Sequence, residues 1–156
     1  MYTLAVMQMD EISNPITVYG PVHADAAARV AREMGTPLLL LSAAGAAASM
    51  GPAWFLALIR QTQERFPEAD IQGALDCEAY AGYALAALRQ GVKIIIYNGP
   101  AFDAIADIAS QIDAFVLKAR PESLDARVAE ASGSLEDAIR QTLSSNGANE
   151  GERSEK

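Results

Sequence analysis

The run of four leucines at residues 38–41 constrains the fold more than any other feature of the chain. An apolar side chain at every position, directly after Pro37, predicts a strand buried on both faces, as in a parallel sheet covered by helices. Two more apolar runs follow at residues 69–78 and 91–100, and helical patterns of about a dozen residues separate the three runs. Strands that alternate with helices predict a parallel sheet with right-handed crossovers.

The same periodicities extend this pattern toward both ends of the chain. Strand character is found at 3–9, 16–20, 37–42, 71–76, 93–97 and 114–117. Helical spacing is found at 25–34, 52–65, 79–90, 102–111 and 122–143, with an interruption at 132–134. The first two strand segments could instead form a hairpin. Five or six strands are too few for a closed eight-stranded barrel. We therefore predict an α/β fold, a parallel sheet of 5–6 strands flanked by helices, as half of a TIM barrel or as a flavodoxin-like three-layer sandwich.

The chain has the length of one domain. Its 156 residues are enough to bury a proper core. Residues 1–143 carry all the strand and helix patterns, so we expect them to form a single α/β domain. Residues 144–156 are polar and acidic, which predicts a disordered tail.

Charge and cysteine content narrow the class of protein. Twenty acidic against twelve basic residues give a net charge of −8, which argues against nucleic acid or an anionic membrane as partner. No apolar run approaches the roughly 20 residues needed to span a bilayer. Cys77 is the only cysteine, so no internal disulfide can form and a reducing compartment is the default. The N-terminus lacks a basic segment typical of signal peptides, and we expect a cytoplasmic protein.

Polar residues collect where the predicted strands end. Ser42, Asp76, Cys77 and Asn98 follow three neighbouring strands, and the only histidine, His23, follows the strand at 16–20. In parallel α/β folds, sites form at the carboxyl ends of strands, so these five residues are the candidate ligand-binding residues.

Each candidate also has a simpler structural interpretation. Asp76 is the candidate catalytic acid, although it could only cap the following helix. Cys77 is a small buried hydrophobe unless it binds zinc, which would need about three companion ligands. Ser42 and Asn98 fit tight turns. No nucleotide-binding, metalloprotease or redox motif is present, and we expect no metal and no cofactor.

Three segments together resemble the first half of a class II (zinc-dependent) fructose-bisphosphate aldolase barrel. PLLLLSAAGA (37–46) is similar to that family's P-V-I-L-x-x-S-E-G-A element. GALDCE (73–78) is similar to its H-L-D-H-G strand end, and RQGVKIIIYNGP (89–100) to its A-G-F-T-S-V-M-I-D-G-S element. The resemblance covers about 65 residues and implies half of a barrel.

The resemblance also implies that the chemistry of that family is altered here. Asp76 stands at the family's proton-transferring aspartate, but Cys77 replaces its zinc-binding histidine and Glu78 its glycine. Aldol cleavage needs a Lewis acid and a docked phosphate. We therefore expect a non-catalytic, aldolase-related domain that binds a small metabolite or a protein partner. The alternative is an aldolase- or lyase-type enzyme with a remodelled site around Asp76 and Cys77.

The C-terminal third carries a second resemblance. DAFVLKARPESLDARVAEA (113–131) is similar to the end of a response-regulator receiver domain. Lys118, Asp76 and the pair Asp10–Glu11 would then imitate its lysine, phosphoacceptor and magnesium-binding acids, which makes a signalling module the third hypothesis. Because a half-barrel leaves two sheet edges open, we also expect self-association as a homodimer.

Overall fold

A computed structural model describes residues 14–151, and it has strands and helices in strict alternation over most of that length. The strand predicted at 3–9 and the pair Asp10–Glu11 lie outside the described residues. The strands are β1 (Pro15–Thr17), β2 (Leu38–Leu41), β3 (Ile71–Asp76), β4 (Ile94–Ile96), β5 (Phe115–Leu117) and β6 (Leu124–Asp125). The helices are α1 (Pro21–Met34), α2 (Ala46–Ser49), α3 (Pro52–Arg65), α4 (Ala81–Gln90), α5 (Phe102–Gln111), α6 (Ala126–Ala131) and α7 (Leu135–Gly151).

All six strands are parallel and form one sheet in the order β5-β4-β3-β2-β1-β6. The predicted α/β fold, a parallel sheet flanked by helices, is confirmed. In a flavodoxin-like sheet the first strand lies between the second and the third. Here β1 to β5 follow one another in chain order, as strands of a barrel do, which favours the half-barrel arrangement.

The two faces of the sheet are buried in different ways. Strand residues of one parity, such as Leu40, Leu75 and Ile95, pack in clusters with the helices. Residues of the other parity form a cluster made of strand side chains alone: Leu39, Leu41, Ala74, Ile94, Ile96 and Leu117. These six are at most 3 % exposed. No helix of the described part joins that cluster, as expected of a sheet that curls so that its inner side chains cover one another.

The connection from β5 to β6 supports this curvature. Five spacings between adjacent strands amount to roughly 24 Å in a flat sheet. The seven residue steps from Leu117 to Leu124 also span about 24 Å when fully extended. A flat sheet would therefore need a taut connection, whereas a curled sheet brings the two edges closer and leaves slack.

Three elements differ from the sequence expectation. Strand β6 lies inside the predicted helix 122–143, because Leu124 packs into the helix-covered core and Asp125 caps α6 by accepting from two amides. Helix α7 continues to Gly151, where a disordered tail was predicted from residue 144; the hydroxyls of Ser144 and Ser145 bond carbonyls one turn earlier. The helical spacing at 79–90 predicts that Tyr83 faces inward, but in the structure Tyr83 is 42 % exposed.

No helix in the described residues is both long and apolar enough to span a bilayer.

Candidate functional site

Arg120 lies at the centre of the carboxyl ends of β1, β2 and β3. Its Nη1 donates to Asp76 Oδ2 at 2.8 Å, and its Nη2 donates to Thr17 Oγ1 at 2.9 Å and to the Ser42 carbonyl at 2.8 Å. One guanidinium thus joins three neighbouring strands. Charge-assisted bonds of this kind are the strong ones, and the planar fork fixes their geometry.

The segment of residues 118–123 delivers this arginine. It leaves β5 at one edge of the sheet and enters β6 at the other, so it must cross the carboxyl ends of the strands between them. Ser123, at its far end, shares a 2.7 Å hydrogen bond with Thr17. The place where a barrel of this type would hold a substrate is therefore crossed by the chain itself.

Asp76 uses both of its carboxylate oxygens within the protein. Oδ2 accepts from Arg120, and Oδ1 accepts from the Glu78 amide at 2.9 Å. The Asp76 side chain is 5 % exposed and that of Arg120 is 29 % exposed. The carboxylate holds the loop after β3 and does not cap a helix by its side chain, since α4 begins without a side-chain cap. Glu78 has a φ of 50°, a conformation glycine adopts easily, and glycine is the residue of the aldolase motif at this position.

Ser42 is buried and its hydroxyl is doubly engaged. It accepts from the Asp76 amide and donates to the Ala43 carbonyl, both at 2.9 Å. Ser42 and Asp76 therefore meet as the sequence predicts. Their contacts bind one strand end to the next.

Cys77 lies in the core beneath the helices, away from the Arg120 cluster. It follows Asp76 directly, and successive residues of a strand point to opposite faces. Its side chain belongs to the cluster packed by α2, α4 and α5 and is 1 % exposed. Burial, with a smaller contribution from the Asp76 charge, raises the pKa of the Cys77 thiol to about 12. A protonated, buried thiol is a poor nucleophile and a poor metal ligand.

His23 belongs to a separate polar cluster beside β6. Its Nδ1 accepts from the Tyr19 amide at 3.2 Å, and its Nε2 lies 2.8 Å from Glu130 Oε2. Because Nδ1 is an acceptor, the ring carries its proton on Nε2 and donates it to the carboxylate. This histidine ties the start of α1 to α6.

Tyr19 and Asp125 form the other half of that cluster. The Tyr19 hydroxyl donates to Asp125 Oδ2 at 2.5 Å, and the Arg127 guanidinium lies 3.9 Å over the Tyr19 ring. The hydrogen bond to Asp125, with partial burial, raises the pKa of Tyr19. Burial acts to raise the pKa of Asp125, but hydrogen bonds from Tyr19 and from the Val128 and Arg127 amides outweigh it, so the pKa of Asp125 is lowered.

Asn98 is exposed and starts a tight turn after β4. A Cβ at Gly99 would lie 2.7 Å from the Ala79 carbonyl, so this position requires glycine. The Tyr97 hydroxyl closes the turn by accepting from the Ala101 amide at 3.2 Å. Asn98 thus sits on the rim.

The sequence expectation missed Arg120 and Thr17. Both follow from the rule that found Asp76, because Arg120 comes three residues after the last residue of β5 and Thr17 ends β1. Lys118, the lysine of the receiver-like motif, instead lies with its ammonium 5.1 Å over the Phe102 ring. Asp76, the corresponding acid, is paired with Arg120.

An exposed aromatic pair borders this face of the sheet. Tyr80 precedes α4 at the carboxyl end of β3 and is 57 % exposed; its ring meets that of Tyr83 edge-on at 5.8 Å. Met50, which follows α2, is 51 % exposed, and α2 contacts α4. Large apolar groups are thus displayed beside the Arg120 cluster.

No protein-family model matches the chain, and no curated protein shows a significant match to it. Within the described residues, no three histidine, cysteine or acidic side chains come together as a metal site would need.

Proposed function

We propose that this chain is a non-catalytic α/β domain that binds a protein partner through the carboxyl-end face of its sheet. The observation that carries the proposal is the closed Arg120–Asp76 cluster with the exposed Tyr80–Tyr83 pair beside it. A general acid or base needs a carboxylate free to exchange a proton with a substrate. Asp76 is buried and accepts two hydrogen bonds, which leaves recognition as the role of this face.

The aromatic pair supports a protein over a small metabolite as the ligand. Tyrosine supplies large, rigid, amphipathic contact area and is enriched where interfaces concentrate their binding energy. Tyr80, Tyr83 and Met50 are all exposed, in α4 and in the loops that follow β2 and β3. An aromatic surface of this kind, with a buried ion pair beneath it, suits a broad contact.

Site-specific photocrosslinking in the source organism tests this function. A benzoylphenylalanine at position 80 is expected to give one discrete adduct, and a Tyr83→Ser change is expected to weaken it strongly. The matched control places the same residue at Val128, which is 64 % exposed on α6. Adducts of equal yield at both positions, or none at position 80, would contradict the proposal. Release of a bound metabolite when the purified protein is denatured would show that this face binds a small ligand and not a protein partner.

The enzyme alternative has its own test. Fructose bisphosphate supplied with zinc is expected to remain uncleaved, and Asp76→Asn is expected to change nothing in that assay. Cleavage that Asp76→Asn abolishes would establish the aldolase-type activity instead.

We also propose that the chain forms a homodimer through the edge at β5. Ile108 and Ile112 are 38 % and 41 % exposed, and β5 has a free side in the sheet. An open, apolar strand edge favours pairing with another chain. Light scattering is expected to give twice the 16.5 kDa chain mass, reduced by Ile112→Glu. Val22→Glu on α1 is the control and should leave the mass unchanged. A monomer mass for the unaltered chain would contradict the proposed dimer.

A further inference from the structure

A cavity of about 390 Å³ opens at the other end of the sheet, at the amino ends of β3 and β4. Its volume lies within the range of roughly 300–1,000 Å³ found for small-molecule sites. None of the residues of the Arg120 cluster lines it. The cavity is therefore independent of the carboxyl-end face and of any partner bound there.

Unequal strand lengths create this opening. Strand β3 begins at Ile71, but its pairing with β4 begins only at Ala74, opposite Ile94. The first three residues of β3 thus have no β4 neighbour on that side. Helix α3 closes the back of the gap at Gly73, where a Cβ would lie 2.5 Å from Ile59 and 3.0 Å from Phe55.

The cavity wall is apolar at the back and polar at the rim. Phe55, Ile59, Ile94 and Phe115 provide two aromatic and two branched aliphatic side chains. Gln72 is exposed at the rim. Pockets with an apolar body and a few polar groups bind small amphipathic molecules, whose orientation those polar groups fix.

Two cations at the rim lack close carboxylate partners within the described residues. Lys93 Nζ donates to the Ile112 carbonyl at 3.2 Å and forms no ion pair within the described residues. Arg60 has only a long contact, 3.9 Å, to Glu64, and both side chains are about 70 % exposed, where such a pair contributes little. Asp113 lines the same cavity as the one acid. The residues that line the cavity thus carry one more positive charge than negative, in a chain of net charge −8.

We propose that this cavity binds a small apolar carboxylate, with its hydrocarbon or aromatic part against Ile59 and Phe115. Its carboxylate then lies at the rim near Lys93 and Arg60. Apolar burial supplies the affinity and the two cations select the charge.

An NMR titration with 4-phenylbutyrate tests the proposal, with the neutral amide of the same acid as the matched ligand. Saturable shifts are expected at the amides of Gly73, Gly91 and Val92. The acid is expected to bind about tenfold more tightly than the amide, because hydrogen bonds to charged groups are stronger than neutral ones.

Charge-neutralising variants separate this site from adventitious binding. The double change Lys93→Gln and Arg60→Gln is expected to remove the preference for the acid and leave binding of the amide unchanged. Arg89→Gln, an exposed change on α4 outside the cavity, is the control and should preserve the preference. Shifts confined to Ser42, Asp76 and Asn98, no saturation with either ligand, or a preference that survives the double change would each overturn the proposal.

Discussion

The two ends of the sheet differ in what their side chains do. At the carboxyl end, Arg120 bonds Thr17, Ser42 and Asp76 at the ends of three strands, and the chain itself crosses the space above them. At the amino end, β3 extends past β4 and leaves a cavity with an apolar back and a cationic rim. The polar residues at the strand ends thus stabilise the fold. The cavity lies instead at the amino ends of β3 and β4, where the sequence shows no unusual pattern.

This difference has a physical origin. Burying an aspartate is costly unless it is paired and hydrogen-bonded. Asp76 is nearly inaccessible, so the fold must supply a cation, and Arg120 is the one that reaches it. Among the described residues, no charged side chain is buried at the amino end of the sheet, so nothing there calls for a partner of opposite charge.

The largest expected effect is on the reactivity of the Cys77 thiol. This reactivity tells whether the thiol lies at the carboxyl-end site or in the core beneath the helices. With a pKa of about 12, against 9.0 for an ordinary thiol, its thiolate fraction at pH 8 is lower by about a thousandfold. Iodoacetamide should therefore label native Cys77 about a thousand times more slowly than the urea-unfolded chain. Equal rates in the two states would place the thiol at an accessible site.

Arg120→Ala should destabilise the fold by about 3 kcal/mol, because it leaves Asp76 buried without its cation. Urea unfolding measures this. The control is Arg65→Ala, which breaks the exposed 2.7 Å pair with Asp25 and should cost at most about 1 kcal/mol. Equal losses in the two variants would show that the Arg120 pair is no more than a surface contact.

Gly73→Ala should cost about 2 kcal/mol, because the added Cβ forces Ile59 and Phe55 away from β3. The same substitution at Gly82 meets nothing within 4 Å on α4 and should stabilise by about 0.5–1 kcal/mol, through helix propensity. Comparison of the two melting curves tests the close approach of α3 that forms the back of the cavity. A neutral Gly73→Ala would mean that this gap is wider than the structure has it.

The smallest effect is expected at the Tyr19–Asp125 hydrogen bond. Tyr19→Phe should cost about 1 kcal/mol at neutral pH. The lowered pKa of Asp125 contributes stability above the unfolded pKa and loses it as the pH falls through the folded value. The raised pKa of Tyr19 contributes below the unfolded pKa and loses it as the pH rises through the folded value.

Removing the hydroxyl should therefore flatten the stability profile at both ends, and NMR titration of the Asp125 carboxyl carbon should show its pKa rising toward the ordinary value. An unchanged Asp125 titration in the variant would refute this assignment.

The sequence predicts the sheet better than the site. Continuous apolar runs such as 38–41 and 94–96 identify buried strands directly, whereas the two residues of β6 are too few to show a strand periodicity. Cys77 is a site candidate only because it follows Asp76. The alternation of side chains along a strand instead sends it to the opposite face, in agreement with its interpretation as a small buried hydrophobe. Arg120 is 44 residues from Asp76, so its pairing appears only once the strand order is known. The cavity depends on the unequal starts of β3 and β4, which no local pattern shows.

The claim that Arg120 closes the carboxyl end can be tested directly from its own guanidinium signals. Contacts with Asp76, Thr17 and Ser42 should stop rotation of the guanidinium, so its Nη protons should give separate, slowly exchanging NMR signals. Arg120→Lys identifies these signals by removing them, and exposed Arg60 provides the averaged reference. We expect separate Arg120 signals in the unaltered protein and merged signals in Asp76→Asn. A single averaged Arg120 signal, like that of Arg60, would contradict it.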